Sequence, residues 1–429
     1  MEPVLLIGLK LPQDKAWQVD DYLDELKMLA ENVGLDGRFR LVQKRNKPNP
    51  ALFVGSGMVE KIHQLVVNES LTAVIFDDEL SPAQQRNLEK ILPVPVYDRT
   101  FIILTIFSER AKTKEARTQV ELAQLKYEYP RLKKMWSHLH RQMGGIGGRG
   151  GEGEKQLEVD RRIARQKMER LETRLDRFEV GRNQRKKQRR NIQNVSLVGY
   201  TNAGKSTLMN QLTKANVEAD DRVFVTLDAT SRLWSIDPVL KVVLSDTVGF
   251  IRKLPHDLVA SFRSTLSEVR DSDLLCHVID ASHPHLLELM ETVDEVIKSI
   301  VANDVPHLMV FNKIDLVGDL ERKTLKRAYP HGIFVSAVDK QGLDELRETI
   351  VEFFSYRIQI DDYLLPTDQS ACFYRISDYG QVVHTYHDAE GVHIRIRGLK
   401  ERLSALGREM PQLMTDSQAQ HDLASAHEY

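Results

Sequence analysis

At 429 residues, with 41% apolar and 28% charged side chains, the chain has room for about three or four domains with buried cores. A formal net charge of −2 gives it no overall affinity for polyanions, and two cysteines, Cys276 and Cys372, exclude a disulfide framework and suit a reducing compartment. Glu2 and Pro3 follow the first methionine, and the longest apolar run, Phe101 to Leu104 resumed at Ile106, falls well short of a membrane span. A cytoplasmic protein without a membrane span is expected.

Residues 1–112 read as an α/β domain. Val4-Leu5-Leu6-Ile7, Phe39-Arg40-Leu41-Val42 and Thr72-Ala73-Val74-Ile75-Phe76 have strand character. Between them, 17–30 carries helical spacing (Val19, Tyr22, Leu23, Leu26, Leu29), and a second helix is expected over 57–67. Ser81-Pro82 opens a third as N-cap and first residue. Alternating strands and helices imply a parallel sheet covered by helices. Gly55-Ser56-Gly57 before a helix could bind phosphate, but neither a lysine nor a ribose-binding acid follows at the required spacing, so a plain turn is the better reading.

The character changes over 113–190. Leu122, Leu125, Tyr129, Leu132, Trp136, Leu139 and Met143 make a heptad seam, and Ala164, Met168, Leu171, Leu175 and Phe178 make another. Seven of the ten residues 144–153 are glycine, so the expectation is an antiparallel helical hairpin with a flexible tip, kinked at Pro130. Residues 131–190 hold 19 Lys+Arg against 8 Asp+Glu, which leaves the rest of the chain near −13. A charge run is ordinarily a solvated face. Confined to a protruding element of an acidic protein, with Trp136, His138 and His140 nearby, it favours RNA as partner.

Residues 191–357 contain the most specific stretch, Gly199-Tyr200-Thr201-Asn202-Ala203-Gly204-Lys205-Ser206, which fits G-x-x-x-x-G-K-[ST]. It stands between an apolar strand (Val195 to Val198) and a helix beginning at Ser206-Thr207. In that setting the loop's N–H groups cradle a phosphate chain, Lys205 reaches the β- and γ-phosphates, and the Ser206 hydroxyl binds Mg²⁺. Downstream, Val242 to Ser245 is a strand ending in Asp246-Thr247-Val248-Gly249, a D-x-x-G. Its aspartate would hold the metal through water, and the Gly249 N–H would sense the γ-phosphate. Leu308 to Phe311 is a strand ending in Asn312-Lys313-Ile314-Asp315, an N-K-x-D. Asp315 can accept from the guanine N1–H and 2-amino group, with Lys313 along the base, and adenine lacks that donor pair. Ser336-Ala337-Val338 then offers a backbone N–H to the guanine oxygen. Each motif alone is weak. All of them in this order, each at a strand end, define a GTP site.

Between the first two motifs, Phe224-Val225-Thr226-Leu227-Asp228 is the expected first switch, with Thr226 as second Mg²⁺ ligand and Thr230 as its alternative. Lys205, Thr226 and Gly249 are thus the candidates for acting at the γ-phosphate. Phe250 stands where many GTPases place a water-orienting glutamine, so hydrolysis by the free protein should be slow and depend on a partner. Asparagine at position 202 recurs in GTPases that use K⁺, which leaves K⁺ open beside a purely loop-shaping role.

The domain order, Phe76-Asp77-Asp78-Glu79-Leu80-Ser81-Pro82-Ala83-Gln84-Gln85-Arg86-Asn87-Leu88, the Gln119-Val120-Glu121-Leu122-Ala123-Gln124-Leu125 helix, and a glycine tip running into Gln156-Leu157-Glu158-Val159-Asp160-Arg161-Arg162 resemble the HflX family. The resemblance implies a translational GTPase that binds the large ribosomal subunit and ribosomal RNA. It further implies that the hairpin tip reaches the peptidyl-transferase region and that stalled or idle ribosomes are split under stress. The tip departs from the family form, since Gly151-Glu152 stands where a single proline is expected.

In 358–429, Val392, Ile394 and Ile396 alternate with His393, Arg395 and Arg397, which suggests a small α+β domain with a basic outer row and a polar tail after Pro411. The outer row could touch RNA, though a solvated face is the simpler reading. Two other functions stay open: an ATP-driven RNA-remodelling enzyme, and a ribosome-binding module in which GTP only orders the structure. A monomer is expected.

Overall fold

The computed structural model describes residues 1–131, 151–188, 192–213, 230–253, 267–300, 305–365, 372–410 and 413. At the N-terminus β1 (Glu2–Lys10), β2 (Leu35–Lys44), β3 (Ala73–Phe76) and β4 (Val96–Asp98) form one parallel sheet in the order β2-β1-β3-β4. Between them run α1 (Ala16–Asn32), α2 (Ser56–Asn68) and α3 (Pro82–Ile91), and α4 (Arg99–Arg110) follows. Alternate strand residues point to opposite faces. Val4, Leu6, Ala73 and Ile75 pack with Leu23, Leu26 and Leu29 of α1 and Ile103 and Phe107 of α4. Leu5, Ile7, Val74 and Phe76 pack with Ile62 of α2 and Leu88 of α3. Both faces are covered, which is why β1 reads as an unbroken apolar run.

The helix starts carry local signals. The Ser81 hydroxyl accepts from Gln84 N–H at 3.2 Å, and Gln84 returns the bond to Ser81 N–H at 2.9 Å, so the expected cap is a full capping box. Gly55 serves as N-cap of α2, and its N–H donates to Gln43 Oε1 at 2.8 Å. The Gly-Ser-Gly stretch is therefore the N-cap and first two residues of α2 rather than a plain turn, with the Gly55 donor satisfied within the chain.

Next comes α5 (Lys114–Glu128), which Thr113 caps by accepting from Ala116 N–H at 3.1 Å. At the predicted kink around Pro130 the regular α-helix gives way to a 3₁₀ turn, with α5 reaching Glu128 and the turn covering Tyr129–Arg131, and the part of the predicted hairpin helix beyond 131 lies outside the described residues. A proline has no N–H for the helical ladder and clashes with the preceding turn. The returning helix, α6 (Gly151–Gln188), is 38 residues long, about 57 Å at 1.5 Å per residue. It starts within the predicted glycine tip, so Gly151 and Gly153 are helical; the tip residues 144–150 lie outside the described residues, as do Trp136, His138 and His140. Over 162–180 of α6, Ala164, Met168, Leu171, Leu175 and Phe178 are the shielded positions, the stripe the heptad spacing predicts. It lies against α5, with Lys167–Glu121 at 2.6 Å, Lys126–Glu172 at 2.9 Å and Arg165 Nε donating to the Tyr129 hydroxyl at 2.6 Å. A second face of α5 (Ala116, Val120, Ala123) joins the N-terminal core, a contact the seam did not suggest.

The third unit has a six-stranded sheet in the order β10-β9-β8-β5-β7-β6. Its strands are β5 (Gln193–Val198), β6 (Thr230–Ser235), β7 (Lys241–Asp246), β8 (Leu274–Asp280), β9 (His307–Asn312) and β10 (Ile333–Phe334). Only β6, at the edge, is antiparallel to its neighbour. The helices are α7 (Lys205–Thr213), α8 (Ser267–Arg270), α9 (Leu286–Ile300), α10 (Asp319–Ala328) and α11 (Leu343–Phe353). Last, β11 (Ile358–Leu365), β12 (Gly380–His387) and β13 (Val392–Leu399) form an antiparallel sheet with β13 in the middle, accompanied by α12 (Cys372–Ser377) and α13 (Lys400–Glu409). Ile394 and Ile396 are buried. On the other face, Arg395 is held by Asp362 at 2.8 Å and Arg397 by Asp237, beyond β6, at 2.6 Å. The outer basic row is thus spent on acidic partners within the chain. Of the polar tail, all but Leu413 lies outside the described residues.

One feature positions the site. The core on the α1/α4 side of the N-terminal sheet continues into Val198, Phe250, Ile251, Val269, Leu275 and Val293 of the third unit. The segment after D-x-x-G is therefore part of an interface core.

Candidate functional site: the loops at the strand ends

The G-x-x-x-x-G-K-S loop runs from the end of β5 into α7. Its path needs glycine twice. Gly199 has φ 152°, and a Cβ there would lie 2.2 Å from Val278 O; Gly204 has φ 88°, and a Cβ there would lie 2.2 Å from Asn312 Nδ2. Asn202, exposed at φ 60°, takes a left-handed conformation that asparagine tolerates. Within the loop Thr201 and Ala203 are buried and Tyr200 is half-buried, and Thr207 after it is half-buried.

Lys205 is 6% exposed and donates to Gly199 O at 3.1 Å and Tyr200 O at 2.8 Å. Burial lowers its pKa to about 8, and only Asp246 opposes that shift. Ser206 Oγ donates to Asp246 Oδ2 at 2.5 Å, so the loop hydroxyl and the D-x-x-G carboxylate share one point. Thr247 turns away and donates to Leu197 O at 2.7 Å. Gly249 packs on the loop, where a Cβ would come within 2.9 Å of Thr201 and 3.0 Å of Lys205 Nζ. Val248 is half-buried against the interface core.

At the other end of the site Asn312 joins two loops. Its Nδ2 donates to Ala203 O at 2.8 Å, and its Oδ1 accepts from Ala337 N–H at 3.1 Å. Lys313 follows in a left-handed conformation, φ 62°, and its Nζ lies 2.6 Å from Asp280 Oδ2. That turn leaves Asp315 exposed while Ile314 is buried. The Ser336 hydroxyl accepts from Asp339 N–H at 3.0 Å, which shapes the loop, and Val338 is 70% exposed beside it. So the four motifs, from the ends of β5, β7, β9 and β10, meet at one edge of the sheet. Phe224, Val225, Thr226, Leu227 and Asp228 lie outside the described residues.

Sequence reasoning missed Asp280, at the end of β8, which belongs to no motif and orients Lys313. It also missed the acidic residues of the N-terminal module that hold Tyr200, Arg252 and Lys253. Among the described residues no group of three or more His, Cys, Asp or Glu could hold a metal, and no helix is long and apolar enough to cross a membrane.

A parallel sheet with a glycine-rich loop entering a helix, closed by D-x-x-G and N-K-x-D loops, makes this a P-loop GTPase that hydrolyses GTP. Family models match along the chain: "GTP-binding GTPase N-terminal" over 20–108, "GTP-binding GTPase Middle Region" over 110–189 and "50S ribosome-binding GTPase" over 194–313. GTPase HflX of Flavobacterium psychrophilum is 40% identical over 396 residues, covering 86% of this chain and 95% of its own. GTPase HflX of Escherichia coli is 40% identical over 401 residues, covering 92% and 93%. A crystal structure described as SsGBP with GDP aligns at TM-score 0.46 and 26% identity, covering 83% of this chain and 99% of that one. The chain belongs to the GTPase HflX family.

Proposed function

We propose that the protein is a GTP-driven factor of the large ribosomal subunit, which splits or rescues stalled and idle ribosomes. In this reading 191–357 hydrolyses GTP, 1–112 and the basic hairpin 113–190 dock on ribosomal RNA, and 358–429 supports the GTPase domain through Arg397–Asp237. The ribosomal partner and a cytoplasmic location rest on the family model described as a 50S ribosome-binding GTPase and on the basic excess of 131–190. Phosphate contact through such a helix gives strong, salt-dependent, sequence-tolerant binding.

The observation that carries the nucleotide assignment is Asn312, whose amide fastens the phosphate loop to the Ser336-Ala337-Val338 loop. With both loops fixed, the exposed Asp315 carboxylate accepts from guanine N1–H and N2–H, Lys313 lies along the base, and the Ala337 region donates to the guanine oxygen. The backbone N–H groups of Gly199 to Thr207 hold the phosphates, and Lys205 adds its charge. The hydroxyl–carboxylate pair Ser206–Asp246 suits a hard, oxygen-seeking ion. Ser206 would hold Mg²⁺, with Asp246 behind it and Thr226 as the further ligand, and the ion would neutralise charge on the β- and γ-oxygens. Gly249, held against Thr201 and Lys205, presents its N–H to the γ-phosphate.

Base selectivity tests the assignment. An amide at 315 reverses the donor pattern, so Asp315→Asn should lose GTP affinity and gain affinity for xanthosine triphosphate. A variant that binds GTP as the parent does and ignores the xanthine nucleotide would remove the guanine assignment.

A further inference from the structure

The contact between the N-terminal module and the nucleotide loops is built on buried charge. Glu25 in α1, Asp77 after β3 and Arg99 at the start of α4 are each less than a tenth exposed. Arg99 Nη1 lies 2.7 Å from Asp77 Oδ1, and Nη2 lies 2.9 Å from Glu25 Oε2. Each carboxylate keeps its other oxygen for the GTPase domain. Glu25 Oε1 accepts from the Tyr200 hydroxyl at 2.7 Å, and Asp77 Oδ2 receives the Lys253 ammonium, which Asp78 also holds at 2.7 Å. The Tyr200 oxygen in turn accepts from the Arg252 backbone N–H at 2.9 Å. Outside this line, the Arg252 side chain pairs with Asp21.

Tyr200 belongs to the phosphate loop, and Arg252 stands three residues after the D-x-x-G glycine. Between them Phe250 N–H donates to Gly199 O at 3.0 Å, and Thr201 N–H donates to Phe250 O at 2.8 Å. The backbone that carries Gly249 is thus fastened to the phosphate loop at Phe250 and again, through the phenol, at Arg252. We propose that Glu25 and Arg99 of the N-terminal module are positioning residues for GTP hydrolysis. Arg99 orients Glu25, Glu25 fixes the Tyr200 hydroxyl, and that hydroxyl fixes the Arg252 peptide and with it the Gly249 N–H.

The chemistry fits a positioning role better than a simple fastening of the two units. A buried ion pair repays little of its desolvation and is weak evidence for stability. Arg99 meets Glu25 only as an ion pair, whereas the hydrogen bonds from the Tyr200 hydroxyl to Glu25 and from the Arg252 N–H to the Tyr200 oxygen specify one geometry. A fastening would need no bond to the phosphate loop itself, and here the single phenol oxygen lies on both the loop and the segment after Gly249. GDP lacks the γ-phosphate that Gly249 would meet, so GDP binding should not depend on this line. This inference rests on the nucleotide assignment above.

The test uses the full chain with steady-state GTP turnover and GDP affinity measured side by side. Lys205→Met comes first: turnover that survives it would remove the nucleotide assignment, and this inference with it. If Lys205→Met abolishes turnover, Tyr200→Phe and Glu25→Ala should each lower kcat about tenfold, the size of one lost hydrogen bond, with GDP affinity within about threefold of the parent. Trp17→Ala is the structural control, because Trp17 stacks on His285 at 3.4 Å elsewhere in the same interface. It should lower the melting temperature and leave kcat at the parental value. Parental kcat in both Tyr200→Phe and Glu25→Ala would overturn the proposal, and so would an equal kcat loss in Trp17→Ala.

Discussion

Tyr200 and Phe250 pair as a one-residue parallel bridge, the only point among the described residues at which the segment after D-x-x-G is joined to the phosphate loop by backbone-to-backbone hydrogen bonds. The bridge turns the Phe250 ring, 2% exposed, into the core shared with Ile102, Phe107 and Ile251. The position that carries a water-orienting glutamine in many GTPases is here a core position.

Turnover should follow from that burial. The free protein is expected to hydrolyse GTP slowly and to be stimulated strongly by large ribosomal subunits. Phe250→Gln should not speed the free protein, and it should cost about 3 kcal/mol of stability, because an amide replaces a buried ring. A faster free enzyme with that substitution would show that the side chain can leave the core and reach the water. Exchanging K⁺ for Na⁺ asks a separate question at Asn202, and equal rates in both salts would leave the residue its loop-shaping role.

Lys205 gives a proton-linked signature. With its pKa lowered to about 8, it is largely neutral at pH 9, yet a bound phosphate chain favours the charged form. Nucleotide binding at pH 9 should therefore take up about one proton, and almost none at pH 7, measurable by calorimetry in buffers of different ionisation enthalpy. The same shift raises stability as pH climbs from about 8 toward 10.5, since there the unfolded chain holds the proton that the folded chain has released. Binding at pH 9 without proton uptake would contradict the burial of this lysine.

His277 sets the acid side. It is 3% exposed in β8, and burial lowers its pKa to about 4, with Asp294 at 3.6 Å opposing the shift. Below about 6.5 the unfolded chain binds a proton that the folded chain refuses, so stability falls as pH drops from 6.5 toward 4. The loss should total roughly 3 kcal/mol. His277→Gln, measured by urea unfolding at pH 7 and pH 5, should show a smaller drop than the parent. An equal drop would assign the acid sensitivity elsewhere.

The hairpin separates charge from shape. Neutralising Arg185, Lys186, Lys187, Arg189 and Arg190 should weaken ribosome binding and lower the log–log salt slope by about 0.7–0.9 per lost phosphate contact. Replacing 144–150 by a short loop removes a single arginine, so docking should persist. Ribosome-directed activity should nevertheless fail if the tip enters a functional centre. A tip-replaced protein with full activity would leave those glycines as a turn.

The motifs were legible because each is a local object: a strand end, a tight loop and a helix start within a few residues. The heptad stripe on α6 was legible for the same reason, since helical spacing alone predicts that Leu171 and its neighbours are shielded. What the sequence did not reveal is long-range. Nothing around Glu25 or Arg99 marks them out from surface charges, and their roles arise only when α1 and α4 meet a loop more than a hundred residues away. Pro130 shows the limit of pattern reading, because the seam spacing runs through it while the backbone around it turns from α to 3₁₀.

The central claim is that the GTP-bound protein splits ribosomes and that hydrolysis then releases it from the large subunit, and sedimentation tests it most directly. Idle ribosomes are mixed with the full chain and GTP, GDP or a non-hydrolysable GTP analogue, then resolved on sucrose gradients. The expected result is subunit splitting with GTP and with the analogue, protein retained on the large subunit with the analogue, and release after GTP hydrolysis. Intact ribosomes in every nucleotide state, or a protein that sediments with neither subunit, would contradict it.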